Sequence, residues 1–270
     1  MKMEALSATN NLLVRLFGWP ATLIHGDTMV VDRWRWLRQR LPLTVTPGES
    51  VLDVGCGTGA FTMGAARLGY QAVGLSWDER NQIVAEGRAK MLGLSEVSFP
   101  ICDVRHLDEQ TEFFNRFEVV LCLENIEHIL DDRKLMRAMY HCLRPGGRLL
   151  LSAPNYYYHS LSKGDRGPFR QVEDGGHVRR GYSPAMLREL CTEGGFEIEE
   201  IGYVSYYFSQ MTTAMIRAIN STIPPLISWP LSLPMRALTI LLDGWLGKWI
   251  SGALGYPGYS IVVVAYKRRF

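Results

Sequence analysis

The sequence has little that could be cross-linked or could hold a structural metal. Its five cysteines, Cys56, Cys102, Cys122, Cys142 and Cys191, are odd in number, widely spaced, mostly set in apolar runs and never arranged as CxxC. A disulfide framework and a zinc-ribbon pattern are both absent, and a reducing, cytoplasmic setting is expected. Net charge is nearly absent too, since 29 Lys and Arg against 27 Asp and Glu leave +2. A protein that holds nucleic acid by displacing counterions needs a larger excess, so no nucleic-acid partner is expected and any basic site must be local. Residues 1–24 scatter Glu4, Asn10, Asn11 and Arg15 among apolar positions and lack the ordered regions of a secretory leader. An uncharged run from Ala218 to Met235 is interrupted by Pro224, Pro225, Pro230 and Pro234, which argues against a helix crossing a bilayer.

What is there is the make-up of a folded body. Apolar residues at 47% and charged residues at 21% exclude a disordered chain, and 270 residues allow one large core with an elaboration. From Ser50 to Pro154 short apolar runs alternate with helical stretches, the pattern of a parallel sheet covered by helices. Strands are expected at 50–54, 71–75, 97–101, 117–122, 147–152, 196–204 and 259–267, with helices near 59–68, 79–92, 131–142 and 183–194. Arg144-Pro145-Gly146-Gly147 should stop the third of these helices and turn the chain. The expected fold is a doubly wound α/β unit with a mostly parallel seven-stranded sheet, N-terminal helices and a helical insertion before the last strand. In domain terms this gives a helical cap at 1–47, a core at 48–208 and 258–270, and an apolar insertion at 209–257.

The cap contains an amphipathic stretch, 29–40, with Val30, Val31, Trp34 and Leu37 at helical spacing and Arg33, Arg35, Arg38 and Arg40 largely on other faces. It reads as a helix packed on the core, with a basic membrane-surface helix as the alternative. In the insertion, Leu238, Leu241, Leu242, Trp245 and Trp249 share one face, and Arg236, Thr239, Asp243 and Gly247 the other. Such a helix can close over the core, pair with a second copy in a homodimer, cover a substrate, or lie on a bilayer as a peripheral contact. Amphipathicity alone does not choose among these.

The most informative stretch is Val51-Leu52-Asp53-Val54-Gly55-Cys56-Gly57-Thr58-Gly59, a strand running into a glycine turn that opens a helix. Such a turn lets backbone approach a ligand that a Cβ would obstruct. A dinucleotide fold uses the same device, and the glycines alone do not discriminate. Asp53, at the carboxyl end of the strand, suits a cationic amino-acid group better than a pyrophosphate. Together VLDVGCGTG, GLSWD, CDV, LENIEH and LRPGG, in this order and at these intervals, resemble the class I S-adenosylmethionine-dependent methyltransferases over residues 48–153.

The resemblance implies that Gly55, Cys56, Gly57 and Gly59 line the methionine portion of the cofactor, with Asp53 near its ammonium and Leu123 near its methionine end. It implies an acidic residue for the ribose hydroxyls after the second strand, where this chain has Ser76, Trp77 and Asp78. Trp77 then either packs on the adenine or sits in the core. Asp103 and Val104 match the adenine-binding position, although Asp103 is also placed to cap a helix beginning at 105.

In an open α/β sheet the reacting groups follow the carboxyl ends of the strands, which brings in Glu124-Asn125-Ile126-Glu127-His128 and Asn155 to Tyr158. His128 is the leading candidate for a base that removes a hydroxyl proton, oriented by Glu127 or Glu124. The spelling Glu-x-x-Glu-His also resembles ubiquinone-pathway O-methyltransferases and small-RNA 2′-O-methyltransferases. That resemblance implies a divalent ion such as Mg²⁺ held by Glu124, Glu127 and His128, with His177 as a further ligand. The segment 154–181 adds Lys163, Arg166, Arg170, Arg179 and Arg180 among Asp165, Glu173 and Asp174, and its Tyr156, Tyr157, His177 and Arg179 are the candidate acceptor contacts.

The expected function is methyl transfer to a hydroxyl of a small or lipid-like acceptor, such as a prenylated aromatic, a polyketide or a lipid glycan. Carbon methylation of a prenyl diphosphate is the second reading. A cofactor-binding partner subunit without catalysis and a nicotinamide oxidoreductase are readings of other kinds.

Overall fold

The computed structural model describes residues 12–24, 27–41, 46, 48–161 and 167–269, without the side chains of Pro225, Leu226 and Trp229. Glu4, Asn10 and Asn11 of the leader reading, and Lys163, Asp165 and Arg166 of the 154–181 segment, lie outside these residues. In chain order the elements are α1 (Pro20–Ile24), α2 (Met29–Arg40), β1 (Ser50–Val54), α3 (Ala60–Ala66), β2 (Gln71–Leu75), α4 (Glu79–Met91), β3 (Val97–Ser98), β4 (Phe117–Leu123), α5 (Asp132–Cys142), β5 (Leu143–Pro154), α6 (Pro184–Glu193), β6 (Glu197–Val204), α7 (Tyr207–Thr222), α8 (Pro225–Leu242), α9 (Lys248–Leu254) and β7 (Ser260–Tyr266).

Two compact units are present. The first comprises 42–156, 167–202 and 261–270, and the second 1–41, 157–166 and 203–260. The N-terminal helices and the insertion, read separately in the sequence, fall in the same unit.

The first unit is built on a seven-stranded sheet in the order β3-β2-β1-β4-β5-β7-β6. β1 pairs in parallel with β2 and with β4, β2 with β3, and β4 with β5. Gly146 N–H donates to Lys267 O and Lys267 N–H to Gly147 O, so the start of β5 lies against the end of β7 and β7 runs antiparallel to it. The centre of the sheet is buried: every residue of β1 is buried, because helices cover both faces. Leu52, Val54, Leu75, Val120, Leu149, Leu151, Ile261 and Val263 form the shared core with Leu135, Met136 and Met139 of α5. α5 starts where the Asp131 carboxylate accepts the Lys134 N–H at 2.9 Å, an N-cap before an apolar stripe.

The RPGG segment does not separate α5 from its strand as expected. α5 ends at Cys142, Leu143 already pairs with Phe117, and the register then jumps to Val119 opposite Arg148. Residues 144–147 are thus a bulge within β5, which lets the strand resume pairing without losing its inward face.

The second unit contains α1, α2, α7, α8 and α9, with a π turn over Asp243–Gly247. α8 passes through Pro230 and Pro234, which were expected to interrupt it. Both prolines are exposed and four residues apart, so the carbonyls left without an N–H partner face outward.

Candidate functional site

The strand order reverses between β1 and β4, and the crevice beyond their carboxyl ends is where an open sheet of this kind receives a ligand. A cavity of about 340 Å³ opens there, lined among others by Gly55, Gly57, Ser76, Trp77, Asp103, Val104, Glu124 and His128.

The turn after β1 is held by Gly55 and Cys56 N–H groups, which both donate to Leu75 O at 3.1 and 2.9 Å. Gly55 has φ +82°, and a Cβ there would lie 2.2 Å from Asn125 Cγ, so only glycine lets the β4 loop close onto the turn. Gly57 has φ +52° with nothing within 4 Å of where its Cβ would be, leaving its backbone open to the cavity. This is a cradle that a side chain would fill, and it fits the close approach of an amino-acid moiety.

Asp53 lies beneath the turn rather than on the cavity wall. It is 1% exposed, and its Oδ2 accepts the Thr62 hydroxyl at 2.7 Å. Burial pushes its carboxyl up to about 6, only partly countered by Thr62. Burial also pushes the Cys56 thiol well above its usual value. Gly59 opens α3 in a left-handed conformation, and Leu123 is buried at the end of β4.

Past β2, Ser76 is buried and its Oγ accepts the Asp78 N–H at 3.2 Å. Asp78 caps α4 and pairs with Arg80 at 2.8 Å, and that guanidinium holds its carboxyl below the usual carboxylate range. Trp77 is 53% exposed on the cavity wall, so it is not a core residue. Asp103 does what its capping position suggested: Oδ1 accepts the Arg105 N–H at 3.1 Å, and the Arg105 side chain pairs with the same carboxylate. Arg105 holds the Asp103 carboxyl below the usual range.

At the reacting end, Glu124 has φ +50°, a left-handed conformation that a non-glycine residue adopts only when its surroundings enforce it. Its N–H donates to Ser152 O, and its Oε1 accepts the Ser152 hydroxyl at 2.9 Å. Residues 126–128 form a single 3-10 turn. A helical turn, which would bring positions i, i+3 and i+4 to one side and so gather Glu124 with Glu127 and His128, is therefore not formed. Glu127, His128 and His177 instead come together, with one ligand atom from each lying within 4.8 Å of the others. Glu127 Oε1 is 3.8 Å from His128 Nε2, and the two imidazoles meet edge to face at 4.7 Å. His128 Nδ1 is buried without a hydrogen-bond partner.

The 154–181 segment supplies residues that sequence reasoning missed. Glu173, Asp174 and Gly175 line the cavity, and Glu173 is pinned by Arg105 at 3.3 Å and by the Leu130 N–H at 2.6 Å. Arg105 and Asn125 also line it. Their only signal in the sequence was adjacency to Asp103 and Glu124. Arg179 donates to Ile129 O at 2.6 Å and Leu130 O at 2.9 Å and pairs with Asp132. Tyr156 is 45% exposed, with the Arg180 guanidinium 6.0 Å over its ring. Tyr157 belongs to the second unit and is exposed.

A family model described as a methyltransferase domain matches residues 30–201. Ubiquinone biosynthesis O-methyltransferases are among the relatives. The protein from Neisseria meningitidis is 27% identical over 174 residues, covering 62% of this chain and 72% of that one. The protein from Pseudomonas entomophila is 33% identical over 179 residues, covering 64% and 74%. The structure of Haemonchus contortus phosphoethanolamine N-methyltransferase 2 in complex with S-adenosyl-L-methionine superposes with a TM-score of 0.60 at 21% identity, over 88% of this chain and 52% of that one. With the glycine cradle and the strand order, these matches place the chain in the class I S-adenosylmethionine-dependent methyltransferases. It is a methyl-transferring enzyme that uses S-adenosylmethionine.

Proposed function

We propose that the chain transfers the methyl group to a hydroxyl oxygen of a small, lipid-like acceptor, with His128 taking the proton. The observation that carries this reading is the setting of His128: an imidazole on the cavity wall beside a buried carboxylate, with His177 against its ring. The O-methyltransferase names of the relatives support oxygen as the acceptor atom.

When bound, S-adenosylmethionine supplies a methyl carbon activated by a sulfonium. The residues of the chain do the rest by positioning and by exclusion of water. Gly55 and Gly57 would bring backbone to the amino-acid portion, the buried Asp53 would supply a counter-charge for its ammonium, and Ser76, Trp77, Asp103 and Val104 would hold the nucleoside end. His128 would take the proton of the acceptor hydroxyl as its oxygen is methylated, and the Glu127 carboxylate would stabilise the imidazolium. His177 and Tyr156 are the acceptor contacts in this reading.

Two of the sequence expectations lose support. A prenyl diphosphate would need unengaged cations, and among the described residues of the 154–181 segment Arg170 pairs with Asp174, Arg179 with Asp132, and Arg180 donates to Tyr156 O. The Glu127, His128 and His177 set offers one carboxylate and two imidazoles, donors that suit a borderline ion rather than the all-oxygen octahedron of Mg²⁺.

Incubating the enzyme and a lipid extract with methyl-¹³C-labelled cofactor tests the proposal. A labelled methoxyl carbon in the product supports it, and a label bonded to carbon overturns it.

A further inference from the structure

The insertion is built inside out. In α8, the π turn and α9, the buried residues are Ser228, Ser232, Arg236, Thr239, Asp243, Gly247 and Ser251, almost all polar. Most of them find partners within their own unit, while the Ser251 hydroxyl is buried without one. Thr239 shares a 2.6 Å hydrogen bond with Thr212, Asp243 accepts the Tyr206 and Ser209 N–H groups, and Arg236 donates to Ile24 O. The opposite side carries Ile227, Leu231, Leu238, Leu241, Trp245 and Trp249, at spacings of three, four and seven that align them in one stripe. Leu241 is 76% exposed, Trp245 81% and Trp249 68%. Of the roles this helix could take, closing over a core with its apolar face is not the one seen within its own unit, because the inward face there is already taken by the polar one.

We infer that this stripe is a docking surface for the headgroup region of an anionic lipid bilayer. Charge is the first argument. The unit carrying the stripe holds eleven Lys and Arg against five Asp and Glu, a net charge of +6, while the sheet unit carries 18 against 22, or −4. Between residues 203 and 260 the only acidic residue is Asp243, and it is buried. Exposed cations border the stripe: Lys248 stands between Trp245 and Trp249 in sequence, and Arg35 is anchored to Ile240 O beside Leu241. Tryptophan with Lys and Arg alongside is the composition of a segment lying at the headgroup level, where the ring is half in hydrocarbon and the cation meets phosphate.

The second argument is what the geometry excludes. Among the described residues no helix is long and apolar enough to cross a membrane, so the stripe lies on the surface and does not span. A second copy docked through a two-fold axis would bring two identical basic borders together, which repel. The inference does not depend on the acceptor and is read without any methyl-transfer assay.

The test is sedimentation of the full chain with vesicles of pure phosphatidylcholine and with vesicles containing about 30 mol% phosphatidylglycerol, at low and high salt. Binding to the anionic vesicles should be at least about tenfold tighter than to neutral ones, with the difference erased by salt. Trp245→Ser with Trp249→Ser should weaken it at least about tenfold while leaving the circular dichroism and cofactor binding unchanged, since both rings are exposed. Leu238→Asn with Leu241→Asn is the second variant and should do the same. The inference is overturned by absence of binding to either vesicle, by variants that bind like the parent, or by a stable dimer that the variants convert to monomer.

Discussion

Replacing Asp53 with asparagine should separate what the site costs from what it gains. The carboxyl is fully buried and its proton is held up to about 6 against an ordinary value of 3.8, chiefly through burial. A carboxylate whose folded value lies above its unfolded one is a stability loss that grows as pH rises from 3.8 through about 6 and is complete above it. Roughly two pH units correspond to about 3 kcal/mol. Asp53→Asn keeps an oxygen for the Thr62 hydroxyl and removes the charge. Its new amide carries a constant desolvation cost of about 1–3 kcal/mol, and that cost does not vary with pH. Calorimetric melting without cofactor at pH 4, 6 and 8 therefore reads the gap between variant and parent. It should move by about 3 kcal/mol in favour of the variant from pH 4 to pH 8, several degrees in melting temperature for a chain of this size. Isothermal titration at pH 8 should at the same time show cofactor affinity reduced by at least about tenfold, as the proposed role of Asp53 as counter-charge to the ammonium requires. A gap that does not change with pH would refute the reasoning, since the burial of Asp53 would then cost nothing.

His128→Gln should lower kcat by at least about 100-fold while the cofactor affinity stays within about threefold; unchanged turnover would remove it as the base. Trp77→Ala should weaken cofactor binding by about tenfold without lowering the melting temperature, because the ring is half exposed on the cavity wall, where the proposed function puts the adenine. Activity measured with and without a chelator should be equal, and added Mg²⁺ should not raise it; chelator inhibition reversed by metal would put the Glu127, His128 and His177 set to a different use. In the second unit, burial and the neighbouring Asp243 raise the Asp32 carboxyl well above the carboxylate range. Stability should therefore fall as pH rises from the ordinary carboxylate range through the raised value, and Asp32→Asn should flatten that fall in melting curves.

The sheet was readable because each central strand is buried on both faces and therefore spelled as an unbroken apolar run, as in Val119 to Leu123. The glycine turn was readable because its backbone demands exclude other residues. Three features were not. The RPGG segment carries the letters of a helix stop, but pairing of Leu143 with Phe117 keeps it in a strand, and only tertiary contacts decide that. Pro230 and Pro234 looked like breaks, and their position on the outer face of α8 is set by which side the rest of the helix buries. The orientation of α8 was invisible for the same reason: a sequence shows that two faces differ, not which one meets the protein. At the site, Glu173 reaches the cavity across 44 residues of chain from Ile129, a juxtaposition no local pattern encodes.

Arg236 of α8 is tied to the Ile24 carbonyl, and Thr28 to that of Ser209, so the N-terminal helices α1 and α2 and the insertion complete one another although nearly the whole sheet lies between them in sequence. Neither can be trimmed alone without exposing the polar seam of the other. In evolution the two should be acquired, lost and exchanged as a pair, and related chains that lack the insertion should also begin differently.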